Sequence, residues 1–303
     1  MFTELFKQRF HVILLVLGFL LVLAGIFTIK DFSKFDVSAR SQLVWSSVII
    51  GVILIAIAII LNVLGSETFE PLTLSKIKTI DRGYSIIKGR TCINVIFGRI
   101  EEFDCSSDDC LVVLPANEFF DDECIYDKRS SLGAFIQRHF YADIVKLQKL
   151  VQKQLAGYQF TDVEKEPGIY GKSFGIGTCI FLNKPLSTSL RIAMLSVTTK
   201  RVGEGLRAEA RNIFDCVFTA HRIMVDYRLS RLYIPVIGSG HGGIRPELAL
   251  LCMLISFSEA LRKPSGHHLQ SVSIVVFESS KTSVPSISRK EIKKALAFVV
   301  ENS

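Results

Sequence analysis

The residues best placed to do chemistry are Gly238, Ser239, Gly240, His241, Gly242 and Gly243, which follow a β-branched and aromatic run from Leu232 to Ile237. Glycines so closely spaced allow positive φ and let the backbone approach a ligand. Pro246 then opens a helical pattern through Leu251, Leu254 and Ile255, so the stretch predicts strand, glycine turn, helix. Free N–H groups at such a turn, beside the positive end of a helix dipole, favour an anion, and the natural guest is a phosphate. The stretch from Gly238 to Gly243 satisfies G-x-G-x-x-G, a pattern also found in turns that are no more than tight connections. No Lys-Ser/Thr pair follows, which excludes a Walker loop. A Rossmann turn fits poorly, because the loop comes late and Glu278, the acid ending the next strand, lies well past the usual spacing. His241 has two readings: a cap or solvent-facing residue, or an imidazole adding a charge-assisted bond to a diphosphate below neutral pH.

Composition narrows the partners. Net charge is 36 basic minus 29 acidic residues, or +7, and no arginine cluster is interleaved with aromatics, so nucleic acid is not an expected partner. The seven cysteines are scattered without C-x-x-C pairs. Cys105 and Cys110 are closest, but no second pair completes a metal site, so no metal is expected and the thiols read as buried and inert in a reducing compartment.

Mean hydropathy of +0.37 is high for a soluble protein, and two stretches account for it. Residues 12–29 and 43–64 carry no ionisable side chain, and each is long enough to cross the ~30 Å hydrocarbon layer as a helix. The short polar loop between them, Lys30 to Gln42, makes the pair a hairpin with both ends on one membrane face. Small residues at Gly18 and Gly25, and at Ser47, Gly51 and Ala58, allow close helix packing within the hairpin or between protomers. Lysine and arginine do not fix the orientation; the unpaired thiols favour a cytoplasmic C-terminal domain.

The expected organisation is a tail and transmembrane hairpin over 1–64, a linker over 65–80 containing Pro71, and a ligand-binding domain over 81–303. Within that domain, residues 84–97 read as two strands about Gly89, and Leu111–Leu114 as a third, ended by Pro115, Ala116, Asn117 and Glu118. One amphipathic helix is predicted through Leu132, Ile136, Phe140, Leu147, Val151 and Leu155, capped by Ser130 or Ser131 and ended by Gly157. A second glycine turn, Gly175-Ile176-Gly177, leads into a strand at 179–182, and another strand follows at 191–197. A helix from about Glu204 to His221, a strand at 272–277 and a final helix from about Arg289 to Val300 complete the pattern. Alternating strands and helices predict an α/β fold with a mixed, largely parallel sheet covered on both faces. Ligands in such folds bind outside the carboxyl ends of strands, so Asn117 and Gly238 could meet. The acids from Asp121 to Asp127 read as a solvated loop, the alternative being a hydrolytic cluster; no acid is paired with a positioned base, so no catalytic residue is assigned.

Leu111 to Glu118 resembles the strand and Ala-Asn turn of macro domains, and Pro235 to Gly243 resembles their phosphate-binding loop. The resemblance covers roughly residues 81–303 and implies a three-layer α/β/α fold that binds ADP-ribose or a relative. It places Asn117 at the distal ribose and Gly238, Ser239, Gly240, His241, Gly242 and Gly243 around the diphosphate. Glu118, Gly175, Ile176, Gly177 and Ile237 complete the implied ligand-binding set. Many macro domains carry Gly-Asp-Ile where this chain has Gly98-Arg99-Ile100, and Phe119 to Lys128 replaces the glycine-rich stretch after the Ala-Asn turn. Two spans ahead of a divergent macro domain resemble the membrane-anchored macro-domain effectors of bacterial Thoeris antiphage defence. This resemblance implies that a TIR-domain partner enzyme converts NAD into an ADP-ribose-derived nucleotide signal, which the domain binds without catalysis or cofactor. Homo-oligomerisation and disruption of membrane lipid would follow, in a multi-pass protein of the bacterial inner membrane. The alternatives are a membrane-tethered ADP-ribosyl hydrolase and, third, a nicotinamide-dependent oxidoreductase.

Overall fold

In the computed structural model, residue 49 and residues 76–302 are described, apart from 122–124, 263–267 and 279–285. The candidate spans 12–29 and 43–64 lie outside the described residues, residue 49 excepted. Among the described residues no helix is long and apolar enough to cross a membrane. The chain divides into two compact units, Met1–Pro71 and Leu72–Ser303.

Eleven strands are described in the second unit: β1 (Lys78–Ile80), β2 (Gly83–Lys88), β3 (Thr91–Gly98), β4 (Cys110–Asn117), β5 (Thr161–Glu166), β6 (Ile169–Ser173), β7 (Cys179–Asn183), β8 (Arg191–Arg201), β9 (Glu204–Arg207), β10 (Arg231–Pro235) and β11 (Ser271–Phe277). Five helices accompany them: α1 (Ser131–Phe140), α2 (Ile144–Leu155), α3 (Ala210–Asp226), α4 (Pro246–Ala260) and α5 (Arg289–Glu301). The main sheet runs β1-β2-β3-β11-β10-β4-β8-β7, with β9 on β8. Its centre, β3-β11-β10-β4-β8, is parallel, and antiparallel strands close both edges, giving the mixed sheet that the alternating pattern predicts.

Strand periodicity of two sorts the core into two layers. Leu111 and Val113 of β4 point to the cluster that holds Ile213 and Val217 of α3, Leu250 and Leu254 of α4, and Ile292 and Leu296 of α5. Val112 and Leu114 point to the other cluster, with Leu132, Phe135 and Ile136 of α1 and Leu147 and Val151 of α2. Helices on both faces make the unit three-layered, and its parallel strands are apolar on both sides as burial requires.

Four local expectations are corrected. The single helix over 132–155 is two, because Phe140 leaves helical geometry at φ −133° and ψ 18° and a 3-10 turn follows; Ser130 is the cap, accepting from the Gly133 N–H. Residues 204–207 are a strand, not the start of a helix: Gly203, at φ +72°, turns β8 back on itself, and glycines on both sides of Glu204 disfavour a helix there. The third strand runs through Pro115 to Asn117; its pairing with β10 ends at Val112, so Pro115 sits where one flank of the strand is uncommitted. The segment 78–80, within the expected linker, pairs with β2 as an edge strand.

Candidate functional site

The parallel strands β3, β11, β10 and β4 all end at one edge, and the glycine loop leaves β10 there. Gly238 takes φ +79° and Gly243 φ +73°, values that suit glycine. The Ile244 N–H donates to the Gly238 carbonyl at 3.0 Å and the Gly243 N–H to the Gly240 carbonyl at 3.2 Å, closing the loop on itself. From outside, the Ala208 N–H donates to the Gly242 carbonyl at 2.9 Å, and the Ser239 hydroxyl donates to the Val236 carbonyl at 2.8 Å. A side chain at Gly242 would collide with the Ala208 Cβ and the Gly238 carbonyl oxygen, both 2.7 Å from the ideal Cβ position. Gly240 is exposed and faces open space.

All these bonds use carbonyls of the loop as acceptors. Among the described residues, the backbone N–H groups of Gly238, Ser239, Gly240, His241 and Gly242 make no hydrogen bond. Gly238 and Gly242 are buried residues, where unpaired N–H groups are rare because each costs about as much as a lost hydrogen bond. Five successive donors without an acceptor suit an anion, and α4, opened by Pro246 after Arg245, begins directly beyond the loop.

His241 does not stand alone at the tip. Its Nε2 lies 3.0 Å from Asp127 Oδ2, tying the loop after β10 to the segment after β4. Asp127 is in turn a fixed post: its carboxylate accepts from the Arg129 N–H and Nε at 3.0 Å, and its carbonyl accepts from the Ser130 N–H at 2.9 Å at the head of α1. The Arg129 hydrogen bond first, and the charge of His241 among lesser causes, hold its carboxyl below the usual carboxylate range. Asp121 is held as well, accepting from Asn117 Nδ2 at 3.0 Å and Lys165 Nζ at 3.2 Å. The expectation of a solvated acidic loop is thereby corrected at both described ends, since these carboxylates are partners of named donors.

The turn after β4 is built in the opposite manner. Asn117 is buried; its Oδ1 accepts from the Phe119 N–H at 3.0 Å while its Nδ2 donates to Asp121. Glu118 is 2 % exposed and its carboxylate takes donors from the Arg201 guanidinium, the Ser173 hydroxyl and the Lys200 N–H, the last at 3.0 Å. Its own N–H and carbonyl are also engaged, by the Thr198 carbonyl and the Phe174 N–H, each at 2.9 Å. Gly175 and Gly177 take φ +79° and +82° around Ile176, but the Gly177 N–H donates to the Ser196 carbonyl and the Gly175 N–H lies 3.4 Å from the Ser173 hydroxyl.

Most of the residues expected at the site therefore gather around the end of β8. Asn117 pairs with Thr198 across the β4–β8 ladder, the Thr198 methyl stands 3.1 Å from the ideal Cβ of Gly242, and Ser196 receives Gly177. The loop after β10 presents its amides, whereas the side chains of Asn117 and Glu118 are turned into their own supports. Ile237 is buried in the core beneath the loop. Arg99, at the end of β3, holds Glu101 Oε1 at 2.6 Å and lies over the exposed Phe277 ring at 5.9 Å. Sequence reasoning missed Asp127 and Arg201 as partners of His241 and Glu118; both are distant in sequence, and only the β4–β10 and β4–β8 pairings bring them near. The six described cysteines are free, and burial pushes the Cys179 and Cys216 thiols up to about 12, which leaves them protonated.

Comparison with known proteins places the fold and the family. A macrodomain of Oceanobacillus iheyensis solved with ADP matches at 14% identity and a TM-score of 0.50, covering 72% of this chain and 97% of that one. The same macrodomain solved with MES bound gives the same figures. At that identity the likeness establishes the fold. No curated protein matches the sequence closely enough to serve as a relative. The family described as Thoeris protein ThsA, Macro domain, matches residues 93–277. That match spans more than half of the chain and takes in both the turn after β4 and the glycine loop, so the protein belongs to the ThsA macro-domain family.

Proposed function

We propose that the domain binds an ADP-ribose-type nucleotide, seating its diphosphate on the amides of Gly238 to Gly242, and that this binding is the sensing step of a membrane-anchored Thoeris effector. The carrying observation is the run of five N–H groups without acceptors at the carboxyl end of a parallel sheet. Family membership and the likeness to a macrodomain solved with ADP support the nucleotide class. The two uncharged stretches at 12–29 and 43–64 support the membrane anchor. In this reading a TIR-domain enzyme supplies the signal from NAD, and the occupied domain favours an associated state of the protein that compromises the bacterial inner membrane. A ligand drives such a change only by binding the associated state more tightly.

Binding is favoured over hydrolysis by the state of the two described acids of the segment after β4. Asp121 is held by Lys165 and Asn117, and Asp127 by Arg129 and His241, so neither is poised as a base toward a water. Calorimetric titration of the whole chain in detergent with ADP-ribose tests the first half: saturable binding is expected, and none at millimolar ligand would overturn it. Leakage from vesicles carrying the protein tests the second half, since leakage unchanged by ligand would leave a binding domain without the effector role.

A further inference from the structure

The charge of this protein is unevenly placed. Residues 76–90 and 289–301 carry nine Lys or Arg against three Asp or Glu, a net +6 out of the chain's +7. The two segments meet in the fold, because α5 packs on β2. Lys293 Nζ lies 5.4 Å from the centre of the Tyr84 ring, and the Arg289 guanidinium lies 4.6 Å from that of Phe97. Phe97 is the penultimate residue of β3, and its N–H donates to the Arg82 carbonyl at 2.7 Å. Arg82, Arg289 and Lys293 therefore stand at the same edge of the sheet as the glycine loop, with β11 between β3 and β10. That separation is two strand spacings, or ~10 Å.

Arg82, Arg289, Lys290, Lys293 and Lys294 are exposed and make no ion pair among the described residues. The acid on that turn of α5, Glu291, is occupied by the Ser288 hydroxyl and N–H in a capping box. Arg245, at the head of α4 beside the glycine loop, adds a further cation on the way to the loop, paired with Glu247 Oε2 at 3.7 Å. Such an arrangement costs folding stability through self-repulsion and is of use to an approaching anion.

We infer that this corner, centred on Arg82, Arg289, Lys290, Lys293 and Lys294, is a collecting surface that steers multiply anionic nucleotides to the glycine loop. The inference rests on the proposed nucleotide binding and adds to it a kinetic role for residues that need not touch the bound ligand. Steering acts through long-range potential, so it raises the association rate, fades with salt and leaves the dissociation rate nearly alone.

Stopped-flow mixing of the whole chain in detergent with a fluorescently labelled ADP-ribose, from about 20 to about 500 mM salt, tests this. Association should slow about tenfold across that range. Lys290→Glu with Lys294→Glu should lower the low-salt association rate about fivefold, leave dissociation within about twofold, and converge with the parent at high salt. Lys149→Glu with Lys153→Glu, on exposed positions of α2, makes the same change in net charge far from this corner and should alter association less than about 1.5-fold. Equal slowing by both pairs would reduce the effect to net charge alone and overturn the assignment, as would association indifferent to salt. Absence of equilibrium binding would remove the proposed function itself, whereas binding with an unaltered association rate would remove this inference alone.

Discussion

Two turns leave the same edge of the sheet on neighbouring parallel strands, and they dispose of their polar groups in opposite ways. After β4, Asn117 and Glu118 commit their side chains to Phe119, Asp121, Ser173, Lys200 and Arg201. After β10, the loop spends its carbonyls on closure and leaves five consecutive N–H groups open. A chain must satisfy its buried polar groups internally unless something else satisfies them. The first turn is thus a foundation and the second, on the proposed binding, a receptor. They should respond differently to substitution: the foundation by losing stability, the receptor by losing ligand.

The largest effect is expected at the foundation. Glu118→Leu strips the buried partner from Arg201, Ser173 and the Lys200 N–H. Breaking a fully buried ion pair costs ~3–5 kcal/mol, and because the Arg201 side chain is 45% exposed the loss here should be nearer to about 2–3 kcal/mol in denaturant unfolding. Unfolding midpoints equal to the parent would mean that the turn after β4 is not held as described. Next comes Gly242→Ala, which belongs to both regions because its Cβ would press on Ala208 and on the Gly238 carbonyl. Overpacking of that kind costs about 1–3 kcal/mol, and the displaced loop should bind ADP-ribose at least about tenfold more weakly. A calorimetric titration beside a melt reads both. Gly240→Asp separates the two roles most cleanly: open space surrounds that position, so stability should move by less than about 0.5 kcal/mol. A carboxylate among the open amides should nonetheless weaken ADP-ribose binding about tenfold, or ~1.4 kcal/mol. Undiminished binding by this variant would place the diphosphate elsewhere.

The receptor was more legible in the sequence than the foundation. Glycine spacing between an apolar strand and a proline-opened helix has a local cause, so Gly238 to Gly243 could be read without knowing the fold. The α/β alternation was legible for the same reason, as periodicity in β4, β8, β11 and α5 is a property of neighbouring residues. What escaped was set by distant partners or by the surface. The β5–β6 hairpin has no apolar alternation, since Thr161 to Glu166 is polar and partly exposed on both faces. It holds its place through Lys165 on Asp121, and Gly171 approaches the Phe119 ring so closely that a Cβ there would lie 2.9 Å from it. Glu118 could be suspected of touching a ligand because nothing near it in sequence reveals Arg201, which only the extension of β8 beyond Val197 brings alongside. The break between α1 and α2 likewise leaves the apolar spacing from Leu132 to Leu155 intact.

The smallest effect probes a polar link between the two regions, the contact of Asp127 with His241. Asp127 has its pKa depressed, first by the Arg129 hydrogen bond, so the stabilisation it contributes is present above the ordinary carboxylate range and is lost as pH falls through the lowered value. Asp127→Asn should therefore lower Tm at pH 7 by no more than about 2 °C, because the partners are partly exposed. The gap should close in acid, once the pH has fallen below that lowered value and the parent carboxylate is protonated as well. A gap that persists unchanged into acid would assign the contribution to packing around the head of α1 and not to the charge. If Tm behaves as expected while ADP-ribose affinity also falls, the post at Asp127 is shaping the loop through His241, and foundation and receptor are then coupled through that contact.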